Sequence, residues 1–164
     1  MKRTGKILAV VMATVMALTG CLQLKKDPVG TERFIKTAEE ESMEIKDVSK
    51  DFHAIEPSSE EDTTEEGVLE ATVATHPDGW KVVFVKYTGP EIAKSEFEKS
   101  NKDYTTEAPT GMEKSVEAGN YKRMYTSEAG EFIYMSYIED SILYAMGDEK
   151  YETDIREFAK KMKY

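Results

Sequence analysis

The side chains that could do chemistry in this chain are two histidines, one cysteine and many carboxylates. Nucleophilic catalysis needs a nucleophile held against a base. No serine lies in a G-x-S-x-G or S-x-x-K motif, and neither His53 nor His76 belongs to an H-E-x-x-H motif. The phosphate-binding motifs G-x-G-x-x-G and G-x-x-x-x-G-K-[ST] are absent from the sequence as well. The sequence therefore predicts no catalytic residues and no cofactor, and we expect a protein that is not an enzyme.

Carboxylates leave one alternative open, because two of them at a suitable separation can hydrolyse a glycosidic bond. The densest acidic run is residues 57–67, PSSEEDTTEEG, which has no cation and no large apolar residue. It matches a calcium loop only in part: counting from Asp62, position 12 is Val73 where the motif needs Glu. We expect a mobile acidic loop and no metal site. The alternative function is a hydrolase that acts through acidic residues on cell-envelope or extracellular polymers.

Tyrosines on the predicted strands are the candidates for a binding surface. Side chains alternate between the two faces of a strand, so Tyr134 and Tyr137 lie on opposite faces of strand 131–138. Two interpretations stay open: both faces are buried, or one of them contacts a partner, since tyrosine combines apolar area with a polar tip. The candidate contact residues are Tyr121, Tyr125, Tyr134, Tyr137 and Tyr144.

The start of the chain has three parts. Lys2, Arg3 and Lys6 form a positive segment, and residues 7–17 are apolar or small, too short a run to span a membrane as a helix of about 20 residues. Leu18-Thr19-Gly20-Cys21 follows and resembles the lipobox of bacterial lipoproteins. The resemblance implies that residues 1–20 are a signal peptide cleaved between Gly20 and Cys21. It also implies that the Cys21 thiol carries a diacylglyceryl group with acyl chains such as palmitate.

A lipidated Cys21 would place the protein on the outer face of the cell membrane, and more than one acyl chain makes such an anchor stable. Residues 21–30 would be the tether. The nine residues after Cys21 span at most about 30 Å when fully extended. Lys25 and Lys26 either meet lipid headgroups or belong to a solvated spacer; both interpretations stay open. Pro28 and Gly30 are the predicted hinge into the domain.

Net charge excludes one class of partner. The chain carries −10 at pH 7, and the signal peptide contains three cations and no carboxylate, so the mature protein is more acidic still. Such a protein is repelled by nucleic acid, and we expect no nucleic-acid binding. Cys21 is the only cysteine, which leaves no disulfide and no cysteine-based metal site. We expect a monomer with one domain over residues 31–164.

The pattern of apolar residues predicts an α+β domain. Helices are expected over 31–41, 90–101 and 151–162, and strands over 69–75, 80–87, 120–126, 131–138 and 141–147. Asp78-Gly79 marks a tight hairpin turn between the first two strands. Residues 43–48 alternate as a short strand or an extended connection, and residues 103–118 are predicted to be a long loop. The expected fold is a five-stranded antiparallel sheet, a hairpin plus a three-stranded meander, with about three helices mainly on one face.

The mature region also resembles small uncharacterised lipoproteins of clostridial-type Gram-positive bacteria. The shared features are Glu39-Glu40-Glu41 ahead of Ile45-Lys46-Asp47-Val48, the stretch 87–97, and the stretch 134–144 leading into Tyr151. This resemblance implies the fold and the membrane location but no activity. We therefore expect a membrane-anchored extracytoplasmic protein that binds a cell-envelope or secreted protein partner without chemical catalysis.

Overall fold

The computed structural model describes residues 25–50, 67–107 and 114–164. Gly20, Cys21 and His53, residues 57–66 of the acidic run and residues 108–113 lie outside the described residues. The described part has three α-helices, seven strands and one short 3₁₀ helix. In chain order they are α1 (Thr31–Glu40), β1 (Glu44–Asp47), β2 (Val68–Thr75), β3 (Lys81–Tyr87), α2 (Pro90–Glu107), β4 (Lys114–Ala118), β5 (Tyr121–Glu128), β6 (Glu131–Ile138), β7 (Ser141–Asp148), the 3₁₀ helix (Glu149–Tyr151) and α3 (Glu152–Lys161).

All seven strands form one antiparallel sheet in the order β1-β2-β3-β7-β6-β5-β4. The α+β class is confirmed, but the prediction of five strands is wrong, because β1 and β4 add an outer strand at each edge. Edge strands are held by backbone hydrogen bonds to one neighbour and need little apolar area. Ile45 is the only half-buried residue of β1, so its sequence gave a weak strand signal.

The predicted hairpin at Asp78-Gly79 is confirmed. Gly79 has φ +105°, which residues with a Cβ rarely adopt, and the turn is closed by a 2.9 Å hydrogen bond from the His76 amide to the Trp80 carbonyl. Ala129 and Gly130 both have positive φ between β5 and β6, as a two-residue hairpin turn of type I′ requires.

The helices cover both faces of the sheet, not mainly one as predicted. On the first face, α1 and α3 pack Phe34 and Phe158 onto the sheet, where Phe34 stacks on Phe84 at 5.6 Å between ring centroids. On the second face, α2 packs Ala93 and Phe97 against another buried cluster. This arrangement explains why β3 and β6 are buried along almost their whole length on both faces.

The long loop predicted over 103–118 is largely regular structure. Helix α2 continues to Glu107, six residues past its predicted end, and β4 occupies the last five residues of that segment. The apolar stripe that predicted the helix stops at Phe97, and beyond it Tyr104 packs against the second-face core. The last turns of α2 are mainly polar and are held by backbone hydrogen bonds within the helix. Such a segment has no apolar periodicity from which a helix could be predicted.

Candidate functional site

The five candidate tyrosines do not share a surface. Tyr121, Tyr125 and Tyr134 belong to the first face, and Tyr137 and Tyr144 belong to the second. Tyr121, Tyr134 and Tyr137 are buried, with 5%, 2% and 4% of their surface exposed, while Tyr125 and Tyr144 are half-buried. One continuous, open surface of all five is therefore not formed, and the binding role of the tyrosines stays a prediction.

The two second-face tyrosines belong to the packing of α2. The Tyr137 ring lies 5.1 Å from the Phe97 ring, and the Tyr144 hydroxyl is 3.5 Å from the Ser100 hydroxyl. Both residues contact the helix that covers this face. Their role in the described part of the chain is to hold α2 on the sheet.

The three first-face tyrosines surround an arginine. Arg123 lies between Tyr121 and Tyr125 on β5, and the neighbouring strand β6 places Tyr134 opposite Tyr125. Alternation along the strand puts all four side chains on the same face of the sheet. Arg123 gives no periodic or motif signal in the sequence. Its position two residues from a tyrosine on either side was the only feature that could have singled it out.

Arg123 and Tyr134 contain buried polar atoms without hydrogen-bond partners among the described residues. These atoms are Nε of Arg123 and the hydroxyl oxygen of Tyr134. Ser136 and Arg123 lie close enough to oppose the effect of burial on the Tyr134 pKa, yet neither has the geometry of a hydrogen bond to the hydroxyl. Leaving a buried polar group unpaired costs about 1–3 kcal/mol. The charge of Arg123 acts on the Tyr134 hydroxyl, so the two residues lie close together in this part of the core.

A second cation lies beside Arg123. The Nζ atom of Lys26 lies 3.6 Å from the centroid of the Tyr121 ring, a cation–π contact. Burial, together with the charge of Arg123, lowers the pKa of Lys26 to about 8. Within the described ranges, no carboxylate oxygen forms an ion pair with Arg123 or Lys26. We call Lys26, Tyr121, Arg123 and Tyr134 the Arg123 cluster.

The hydroxyls of this cluster remain protonated at neutral pH. Burial raises the pKa of Tyr121 and, more strongly, that of Tyr134, because the charged phenolate is poorly solvated there. At the edge of the cluster, the Arg156 guanidinium stacks on Tyr125 at 3.6 Å and pairs with Glu152 at 2.6 Å. Arg156 therefore has a carboxylate partner, whereas Arg123 has none in the part of the chain that the structure describes.

The segment that carries Lys26 is fixed to the domain. The Lys26 amide donates to Asn120 Oδ1 at 3.0 Å, and Asn120 Nδ2 donates to the Lys26 carbonyl at 2.8 Å. Lys26 Nζ also donates to the Lys163 carbonyl at 2.9 Å, and Val29 is buried. Residues 25–30, expected to be part of the tether, thus lie against one end of the sheet, and Lys26 is held by the protein itself.

His76 has a structural role in the described part of the molecule. Its ring stacks on Trp80 with 4.9 Å between centroids, and its Nδ1 accepts a 3.2 Å hydrogen bond from the Asp78 amide. The His76 side chain is half-buried against the Trp80 ring. Among the described residues, no group of three His, Cys, Asp or Glu side chains could hold a metal ion.

Comparison with known proteins gives little more. No protein family matches the chain, and no curated protein matches it. A crystal structure of a GTP-binding regulator from Thermotoga maritima is similar at 16% identity over 81% of this chain and 84% of that one, with a TM-score of 0.47. That similarity is too low to support an argument. In the described residues no helix is long and apolar enough to cross a membrane.

Proposed function

We propose that this protein is a lipid-anchored module on the outer face of the cell membrane that binds a partner instead of transforming a substrate. The observation that carries the binding role is the Arg123 cluster, where Arg123 lies close enough to lower the pKa of Lys26 and where Arg123 and Tyr134 have buried polar atoms without a partner among the described residues. The lipobox-like segment ending at Cys21 supports the anchor.

The cluster favours binding because its arrangement lowers stability. A buried donor or acceptor without a partner, and two cations without a carboxylate, both raise the free energy of the folded state. Groups of this kind cluster at functional sites, where a ligand supplies the missing interactions. Trp80 on the same face also has a buried nitrogen without a partner among the described residues, but only the Arg123 cluster combines such atoms with two cations.

The docked N-terminal segment supports a fixed orientation at the membrane. Cys21 precedes Lys26 by five residues, a span of at most about 18 Å in an extended chain. Lys26 is bound at the end of the sheet that contains Asn120 and Lys163. A lipid on Cys21 would therefore hold this end, and the Arg123 cluster beside it, near the bilayer. The turns at Asp78-Gly79 and Ala129-Gly130 lie at the opposite end of strands about 27 Å long.

Replacing Cys21 with Ser tests the anchor. In the unchanged chain we expect membrane fractionation and a diacylglyceryl mass on the peptide that begins at residue 21. Cys21→Ser should lose that mass, and mature protein should no longer fractionate with the membrane. Thr19→Ser is the matched control, since it keeps a small residue in the motif and should change neither result. Equal membrane association without any lipid mass in the unchanged chain would contradict the proposal.

A further inference from the structure

We infer that the Arg123 cluster is a binding site for a compact oxyanion, a carboxylate or phosphate group, held by Arg123, Lys26 and the hydroxyl of Tyr134. This inference rests on the proposed binding role and names the chemical class of ligand for it. The donors come from three separate parts of the chain: the docked N-terminal segment, β5 and β6.

The hydrogen-bonding groups of the cluster indicate that its ligand is negatively charged. A guanidinium and an ammonium group have only hydrogen-bond donors, and a protonated phenol can donate one more. Arginine presents its donors in a planar fork that matches two oxygens of a carboxylate or phosphate. The Lys26 ammonium donates to the neutral Lys163 carbonyl, and no carboxylate is paired to Arg123 or Lys26 in the described ranges, so an anionic oxygen would supply the negative charge that these two cations lack.

Burial limits the size of the group that can be bound. Tyr134 is only 2% exposed, and Nε of Arg123 is buried, so the donors lie at the level of the sheet and not on its outer surface. Arg123 as a whole is half-buried, so part of its side chain reaches solvent although its Nε does not. A compact oxyanion can reach the exposed part of the guanidinium, whereas a wide ring has no comparable exposed area here, since Tyr134 is buried and Tyr121 is 5% exposed.

Because the protein is acidic overall, we expect anions to bind at the Arg123 cluster and not generally over the surface. At a net charge of −10, long-range electrostatics repel anions. An anion that binds must therefore do so through short-range hydrogen bonds and charge pairing at one place. Surface lysines elsewhere serve as a comparison: Lys36 is 78% exposed and lies 4.0 Å from Glu40, so its charge already has a carboxylate near it.

The test uses the full chain, labelled with ¹⁵N and titrated with inorganic phosphate at constant ionic strength. The readouts are the Arg123 Nε–H signal and the backbone amides of residues 121–126 and 134–138. Acetate is titrated as the carboxylate probe. Vesicles of phosphatidylglycerol, compared with phosphatidylcholine, form a second arm that distinguishes a lipid headgroup from a soluble anion.

We expect saturable shifts confined to these signals. Arg123→Gln should weaken binding at least about tenfold, the loss expected for one charge-assisted hydrogen bond. Tyr134→Phe, which should fold without difficulty, keeps the test valid if Arg123→Gln does not fold, and it should weaken binding severalfold. Lys36→Gln removes one positive charge elsewhere and should leave the affinity unchanged.

Two results would overturn the inference. One is the absence of a saturable shift with phosphate, acetate and phosphatidylglycerol alike. The other is equal weakening by Lys36→Gln and Arg123→Gln, which would show a general charge effect. Neither result bears on the lipid anchor, and a partner bound elsewhere on the domain would still satisfy the proposed function.

Discussion

Replacing Tyr134 with Phe should make the protein more stable, which is unusual for a change in a close-packed core. The hydroxyl is buried and has no hydrogen-bond partner among the described residues, so its removal relieves a desolvation cost. An unpaired buried polar group destabilises the folded protein by about 1–3 kcal/mol. The charge of the nearby Arg123 interacts favourably with the Tyr134 hydroxyl and offsets part of this loss. We therefore expect a gain of about 1 kcal/mol, or roughly 3 °C in Tm for a domain of this size.

Tyr164→Phe is the matched control, because it removes the same atom from an equally buried tyrosine. The Ser141 hydroxyl donates to the Ile138 carbonyl at 3.0 Å, so in its 2.5 Å contact with the Tyr164 hydroxyl it accepts and Tyr164 donates. Loss of this bond should destabilise the protein by about 1 kcal/mol. Urea denaturation followed by circular dichroism measures both changes, with an unchanged m-value showing that the two-state comparison holds.

The sign of the difference decides the result. Stabilisation by Tyr134→Phe and destabilisation by Tyr164→Phe would show that the Tyr134 hydroxyl is kept for a purpose other than folding. If both variants lose the same stability, the Tyr134 hydroxyl is satisfied in the folded protein, and the reasoning that makes it part of a binding site is refuted.

Three further changes test the structure elsewhere. Gly147→Ala should destabilise the protein by about 1–3 kcal/mol in urea denaturation, since the new Cβ would lie 2.6 Å from Cβ of Trp80; no change in the urea midpoint would contradict the packing. Asn120→Ala should release the docked N-terminal segment, so that trypsin cleaves after Lys26 severalfold faster while Tm changes little. An unaltered cleavage rate would show that other contacts hold the segment. The free energy of unfolding should fall above about pH 10. Burial raises the pKa of Tyr164 above its ordinary 10.0, so the unfolded chain loses this proton at a lower pH than the folded protein does. Urea midpoints measured from about pH 9 to pH 11 should fall less in Tyr164→Phe than in the unchanged chain, and parallel curves would refute the assignment.

The inner part of the fold follows from the sequence because it depends on local signals. The strand from 131 to 138 was predicted with the bounds that the structure has, and the turn at Asp78-Gly79 correctly predicted the hairpin of β2 and β3. These segments have a clear period of apolar residues or a residue type that only one turn accepts.

The edges and faces of the sheet could not be predicted in the same way. Strand β1 is defined by pairing with the distant β2, and such pairing leaves little trace in the edge strand's own sequence. Strand β4 forms a hairpin with β5 across Gly119-Asn120, a local turn signal that the predicted loop over 103–118 overlooked. Apolar residues on both faces of β3 and β6 were visible, but they do not say which helix covers which face.

The candidate site was found only in part. The sequence singled out tyrosines, and the structure uses three of the five to surround an arginine that had no signal of its own. The second cation, Lys26, was assigned to a tether, because nothing in a short polar segment predicts that it pairs with Asn120, 94 residues away. Sites assembled from distant segments require the fold before they can be recognised.

Photo-cross-linking in intact cells tests the binding role most directly. A benzoylphenylalanine placed at position 125 lies beside the Arg123 cluster, and the same group at Leu69, which is 53% exposed, reports on an unrelated surface. We expect a discrete cross-linked product from position 125 that disappears with Arg123→Gln, and none from position 69. Products of equal yield at both positions, or a product at position 125 that persists in Arg123→Gln, would contradict a binding role for this face.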